Sequence, residues 1–268
     1  MSSPRHRPLR LGTRGSPLAL AQASQIARQL CHQCGRAAVL VTVATPGDEY
    51  ALIWPGGSSL DALPDGARIG TGSPRRAALL RATGRQLRIV PIRGNVDTRL
   101  RKLADRHVDA LVLAMAGLSR LGLLDGPVTP LDPSLLMPAP AQGVLAVECR
   151  TDDPVTVSQV RTLDHPPTRA AAIAERGFLA ELGAGCSAPV GALAELTAEA
   201  ADEPVMRLSG VIAAPDGSSV IRAQMTGAAG AGDALGRRLA QTLLRDGGAA
   251  LLDRSQSSLL IATKNGGN

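Results

Sequence analysis

Two stretches of this sequence share one grammar and together outline a chemistry. Ile69-Gly-Thr-Gly-Ser-Pro-Arg-Arg76 reads as a strand end, a tight glycine turn and the first turn of a helix. Ser73 can cap that helix, and Pro74 suits its first position because the missing N–H has no helical partner there. Arg75 and Arg76 follow at once, so free backbone N–H groups and two guanidiniums converge on one helix start, which is a site for anions. Leu11-Gly-Thr-Arg-Gly-Ser-Pro-Leu18 repeats the pattern with Arg14 in the turn. Arg93 and Arg99 flank a third strand-to-helix turn, Arg93-Gly-Asn-Val-Asp-Thr-Arg99, for which Asn95 is the expected N-cap. Five guanidiniums at the ends of strands, where α/β sheets bind ligands, exceed what one phosphate needs and suit a ligand with many carboxylates.

The elements that must carry these groups follow from periodicity and punctuation. Strands are predicted over 9–13, 38–44, 87–92, 108–115 and 142–149, and helices over 16–32, 74–83, from Asn95 onward, 167–182 and 232–246. Thr45–Gly57 reads as a Pro/Gly-interrupted junction and Pro127–Pro140 as a proline-rich connection. Strands alternating with helices in the first part indicate an α/β fold, and the apolar run 108–115 is typical of a strand covered on both faces. From Pro166 the texture becomes α+β, with a hairpin signal at Ala214-Pro-Asp-Gly217. Three domains are expected: residues 1–57 with 143–165, residues 58–142, and residues 166–268.

Composition narrows the function. A chain of 268 residues with 44% hydrophobic content can bury aliphatic cores, and Tyr50, Trp54 and Phe178 are its only aromatics. The net charge of +6 comes mostly from arginine. Without aromatic platforms or a reading helix, that charge does not point to nucleic acid. No run of apolar residues is long enough to span a membrane, and Arg10 and Arg14 interrupt any apolar segment of a signal peptide. The cysteines Cys31, Cys34, Cys149 and Cys186 lack the spacing of a disulfide framework, so a reducing, cytoplasmic setting is expected. Cys31-His-Gln-Cys34 has metal-like spacing but no second pair, and no metal is expected. Cys186 lies in the small-residue loop Gly183-Ala-Gly-Cys-Ser-Ala-Pro189. A lone cysteine is ordinarily a small apolar filler, whereas here flanking glycines leave room for close approach and a functional thiol. His6, His32, His107 and His165 are scattered, so a Cys–His nucleophile is unsupported, while an attachment point needs no such base.

Five motifs in order, Leu11–Gln22, Gly70–Arg76, Arg93–Leu100, Leu136–Gly143 and Gly185–Pro189, resemble the porphobilinogen deaminase family. The resemblance implies three domains, the first two like a type II periplasmic binding protein. It implies stepwise condensation of four porphobilinogen units into a linear tetrapyrrole, hydroxymethylbilane, with release of ammonia. It also implies a monomer acting on a small-molecule substrate, with a dipyrromethane cofactor on Cys186. Arg14, Arg75, Arg76, Arg93 and Arg99 match the positions that hold pyrrole acetates and propionates. Ser16, Thr71 and Ser73 match hydroxyl or backbone donors, and Gln142 a pocket-lining amide. Gly72, Pro74 and Ala141 stand where the family pattern has serine, leucine and glycine.

The larger departure lies between Thr45-Pro-Gly-Asp48, which resembles the end of the family's second strand, and Ala51–Gly57, which resembles the start of its second domain. The intervening part of the first domain is absent, and with it the family's catalytic aspartate. Loss of ammonia from porphobilinogen leaves a cation that a carboxylate would stabilise, a task arginine cannot perform. Asp48 and Asp97 are the nearest substitutes, each better read as part of a turn or a helix start. The alternative expectation is therefore a non-catalytic relative that binds pyrrole carboxylates or another polyanion.

Overall fold

A computed structural model describes residues 17–34, 50–57, 59–149, 151–185, 188–197 and 204–253. The expected strands 9–13 and 38–44, Arg14, Ser16, Asp48, Cys186 and the tail after Asp253 lie outside these residues. Helix α1 spans Pro17–Cys34 and buries Ala23, Ile26 and Leu30 along one face. A mixed five-stranded sheet follows, made of β1 (Tyr50–Ile53), β2 (Arg68–Thr71), β3 (Arg88–Pro91), β4 (Ala110–Ala114) and β5 (Val128–Leu131) in the order β3-β2-β4-β1-β5. β2 pairs in parallel with β3 and β4, while β1 pairs antiparallel with β4 and β5. Helices α2 (Pro74–Arg81), α3 (Val96–Ala104) and α4 (Met115–Arg120) belong to this unit. The two faces of β1 and β4 alternate as pleating requires. Tyr50, Leu52, Ala110 and Val112 join Leu79 and Leu80 of α2 on one side. Ala51, Ile53, Leu111 and Leu113 meet Leu118 of α4 and the α3 side chains Val96, Leu100 and Leu103 on the other.

Helix α5 (Pro154–Arg161) leads into a C-terminal unit in which α6 (Pro166–Leu182) and α7 (Gly232–Leu243) cover an antiparallel sheet, β6 (Val190–Thr197), β7 (Val205–Ala213) and β8 (Val220–Ala228), in the order β6-β7-β8. Gly183 ends α6 in the left-handed conformation, φ 57°, and Ala214–Ser219 turns β7 into β8 at the expected hairpin. Beyond α7 the chain passes through a π-turn with a kink at Gly247.

Three expectations are corrected. Tyr50–Ile53 is a central strand rather than part of a junction, and Val128–Leu131 is an edge strand inside what read as a connection. Both are short, and what makes them strands is pairing with distant partners. Conversely, 142–149 forms no strand. Its start is consumed by a turn in which Gln142 N and Val144 N donate to Ala139 O and Ala141 O.

Candidate functional site

The helix start that the sequence singles out is built as its residues require. Thr71, the last residue of β2, is buried, and its Oγ1 accepts from Ser73 N at 3.3 Å. Ser73 is the N-cap of α2, accepting Arg76 N on Oγ at 3.4 Å, with Pro74 in the first turn behind it. Gly72 passes so close to the neighbouring strand that a Cβ would stand 2.6 Å from Ile92 O, which explains the glycine. The second turn repeats the device, with Asn95 Oδ1 accepting Thr98 N at 3.0 Å at the start of α3.

Arg75 and Arg76 leave this helix start in different directions. Arg75 is buried, at 9% exposure. Its Nη2 donates to Tyr50 Oη at 2.5 Å and its Nη1 to Val190 O at 3.4 Å. Val190 opens β6, so Arg75 ties the helix start to the head of that strand. Arg76 donates to Val112 O at 2.8 Å and lies over the Tyr50 ring, 4.2 Å from its centroid. The Tyr50 hydroxyl in turn donates to Gln142 Oε1. Arg99, on α3, is half-buried and donates from Nε to Gly94 O at 2.9 Å. Burial pulls the Arg75 and Arg99 guanidiniums below their ordinary pKa values, and the charge of Arg76 pushes both further down. Arginine nonetheless stays charged, so this is a cluster of mutually repelling cations.

Among the described residues no carboxylate pairs with Arg75, Arg76, Arg93 or Arg99, and the Nε atoms of Arg75 and Arg76 are buried with no hydrogen-bond partner. Burying an uncompensated guanidinium costs several kcal/mol, and a bound polyanion would recover it. The structure thus brings together Thr71, Ser73, Arg75, Arg76 and Gln142, with Arg99 within electrostatic reach. Arg93 is exposed in the turn before α3. Asp97 sits in the first turn of α3, where a carboxylate suits the helix dipole. No group of three metal-ligating side chains occurs among the described residues.

Sequence reasoning missed Tyr50 and Glu175. Tyr50 opens a strand too short to show a period. Glu175 sits in an alanine-rich helix with nothing to mark it. It is buried, and its carboxylate accepts Ala141 N at 2.5 Å and Ala194 N at 2.7 Å, clasping the loop before Gln142 to β6.

Fold and site together define an α/β protein with a separate antiparallel sheet, in which the capped start of α2 carries two guanidiniums that no described carboxylate neutralises. The family model described as "Porphobilinogen deaminase, dipyromethane cofactor binding domain" matches residues 9–51 and 49–158, and that described as "Porphobilinogen deaminase, C-terminal domain" matches 170–245. A porphobilinogen deaminase of Nocardia farcinica is 40% identical over 305 residues, covering 91% of this chain and 88% of that protein. One of Mycobacterium tuberculosis strain H37Rv is 40% identical over 305 residues, covering 91% and 98%. One of Mycobacteroides abscessus is 47% identical over 222 residues, covering 80% and 72%. The chain belongs to the porphobilinogen deaminase family, transferases of tetrapyrrole synthesis whose cofactor is dipyrromethane. The aligned stretch of 305 positions exceeds the 268 residues of the chain, and the family match divides at residues 49–51.

Proposed function

We propose that the chain acts as a hydroxymethylbilane synthase, condensing four porphobilinogen molecules in turn with release of ammonia on a dipyrromethane anchored at Cys186. The observation that carries this reading is the pair of buried Arg75 and half-buried Arg76, uncompensated by any described carboxylate, at the capped start of α2. In this reading Arg75, Arg76 and Arg99 bind acetate and propionate groups, with Arg93 and the Arg14 and Ser16 turn completing the cradle. Thr71, Ser73 and Gln142 orient the ligand through hydroxyl and amide groups. The net positive charge of the cluster fits a dipyrromethane, a polycarboxylate, which would supply the pyrrole terminus on which the chain is extended. The proposed layout has a bilobed first pair of domains and a C-terminal domain at 166–268. Residues 1–57 with 143–165 form a shortened first domain and 58–142 the second, with Tyr50–Ile53 moved to the second because it pairs within that sheet.

A second reading is favoured by the division of the family match at 49–51. If the absent stretch held the catalytic aspartate, the chain would bind pyrrole carboxylates without turnover. Intact mass and peptide mapping after expression in a host that makes porphobilinogen separate the two. A dipyrromethane adduct on Cys186, with ammonia released from added porphobilinogen, is the expected result. An unmodified Cys186 together with no turnover would replace the first reading by the second.

A further inference from the structure

Tyr50 is fully buried and touches three residues of the arginine site at once. Its hydroxyl accepts from Arg75 Nη2 at 2.5 Å and donates its one proton to Gln142 Oε1. Its ring lies beneath Arg76, 4.2 Å from the guanidinium carbon to the centroid. Val112 O and Val190 O hold the outer nitrogens of the two arginines, whereas Tyr50 joins the two arginines to each other and to Gln142. The phenol's single donor is spent on Gln142, which orients its lone pairs toward Arg75. The face of the ring, which carries negative electrostatic potential, takes Arg76.

What Tyr50 lacks is also informative. An acidic side chain here would hold the guanidiniums at least as firmly but would cancel charge that a carboxylate ligand needs. A neutral phenol fixes direction and leaves the charge intact. We propose that Tyr50 is a positioning residue of this pocket. It aims Arg75 and Gln142 as one unit, supports Arg76 on its ring, and leaves both guanidiniums uncompensated for ligand carboxylates. The inference rests on the reading of the pocket as a carboxylate site.

The test uses the full chain. Tyr50→Phe keeps the ring beneath Arg76 and removes both hydrogen bonds. Titration with porphobilinogen, followed by calorimetry, should show roughly tenfold weaker binding, the scale of one lost hydrogen bond to a charged group. In nitrogen–proton spectra of the ligand-free protein, the Arg75 Nη signals, slowed in the parent chain by the bond to Tyr50, should average in the variant. Gln142→Leu removes the phenol's acceptor and should alter the same Arg75 signals from the opposite side, which keeps the inference open to refutation should Tyr50→Phe not fold. If the parent chain binds porphobilinogen and Tyr50→Phe matches it in affinity, or if the Arg75 signals do not change, the role of Tyr50 is overturned while the pocket reading stands. If the parent chain does not bind porphobilinogen, the pocket reading fails and the positioning role falls with it.

Discussion

Ala141 occupies the left-handed region, φ 57°, in the turn that delivers Gln142 to Tyr50. For an L-residue with a Cβ that conformation costs about 1–2 kcal/mol. Replacing alanine with glycine normally destabilises by about 0.4–1 kcal/mol through the entropy of the unfolded chain. Here relief of strain is the larger effect, so Ala141→Gly is expected to raise stability by roughly 0.5–1 kcal/mol. The readout is the urea midpoint at unchanged slope, and a lower midpoint would show that the turn is not strained. Residues of this kind divide cleanly by legibility. Ser73, Pro74, Asn95 and Gly183 act on backbone within a turn of themselves, so their roles could be read from the sequence. Tyr50 acts on residues 75, 76 and 142, and no local pattern carries such a triangle.

At the scale of elements, Glu175 joins three of them. One carboxylate oxygen accepts from Ala194 in β6 and the other from Ala141 in the loop, while the residue itself belongs to α6. Glu175→Gln keeps the shape but turns one acceptor into a donor facing a backbone N–H. The orphaned, buried N–H should cost about 1–3 kcal/mol, visible as a lower thermal midpoint, whereas an unchanged midpoint would mean that the loop does not depend on the clasp. The same scale shows where periodicity runs out. Helices α2, α3, α6 and α7 were legible because each has its own cap or apolar face. β2 and β3 are as short but run into the punctuated turns before α2 and α3, whereas β1 and β5 lie in stretches interrupted by proline and glycine and owe their strand form to pairing with partners elsewhere in the chain.

Across the whole molecule, the decisive feature is that the two sheets share a core. Val211 and Ala213 of β7 are fully buried with Tyr50, Leu52 and Leu79 of the mixed sheet and α2, and Leu193 and Val220 pack beside them. Polar ties cross the same boundary. Ala192 N donates to Pro138 O at 3.1 Å, Arg81 Nη1 to Pro215 O at 2.8 Å and Arg222 Nη2 to Leu135 O at 3.2 Å. A domain junction that moves freely is ordinarily smaller and more polar than this. Exposing one fully buried valine costs about 1.5–3 kcal/mol, so opening the shared core would consume much of the roughly 5–15 kcal/mol that holds a whole domain folded. The mixed sheet β1–β5 and the antiparallel sheet β6–β8 are therefore expected to unfold in one transition, with calorimetric and van't Hoff enthalpies in agreement and uniform hydrogen-exchange protection in β4 and β7. Protection lost in β7 well before β4 would show that the sheets come apart independently. Arg75 would then lose its bond to Val190 without any change in its own helix, and the arginine site could not stay fixed relative to β6.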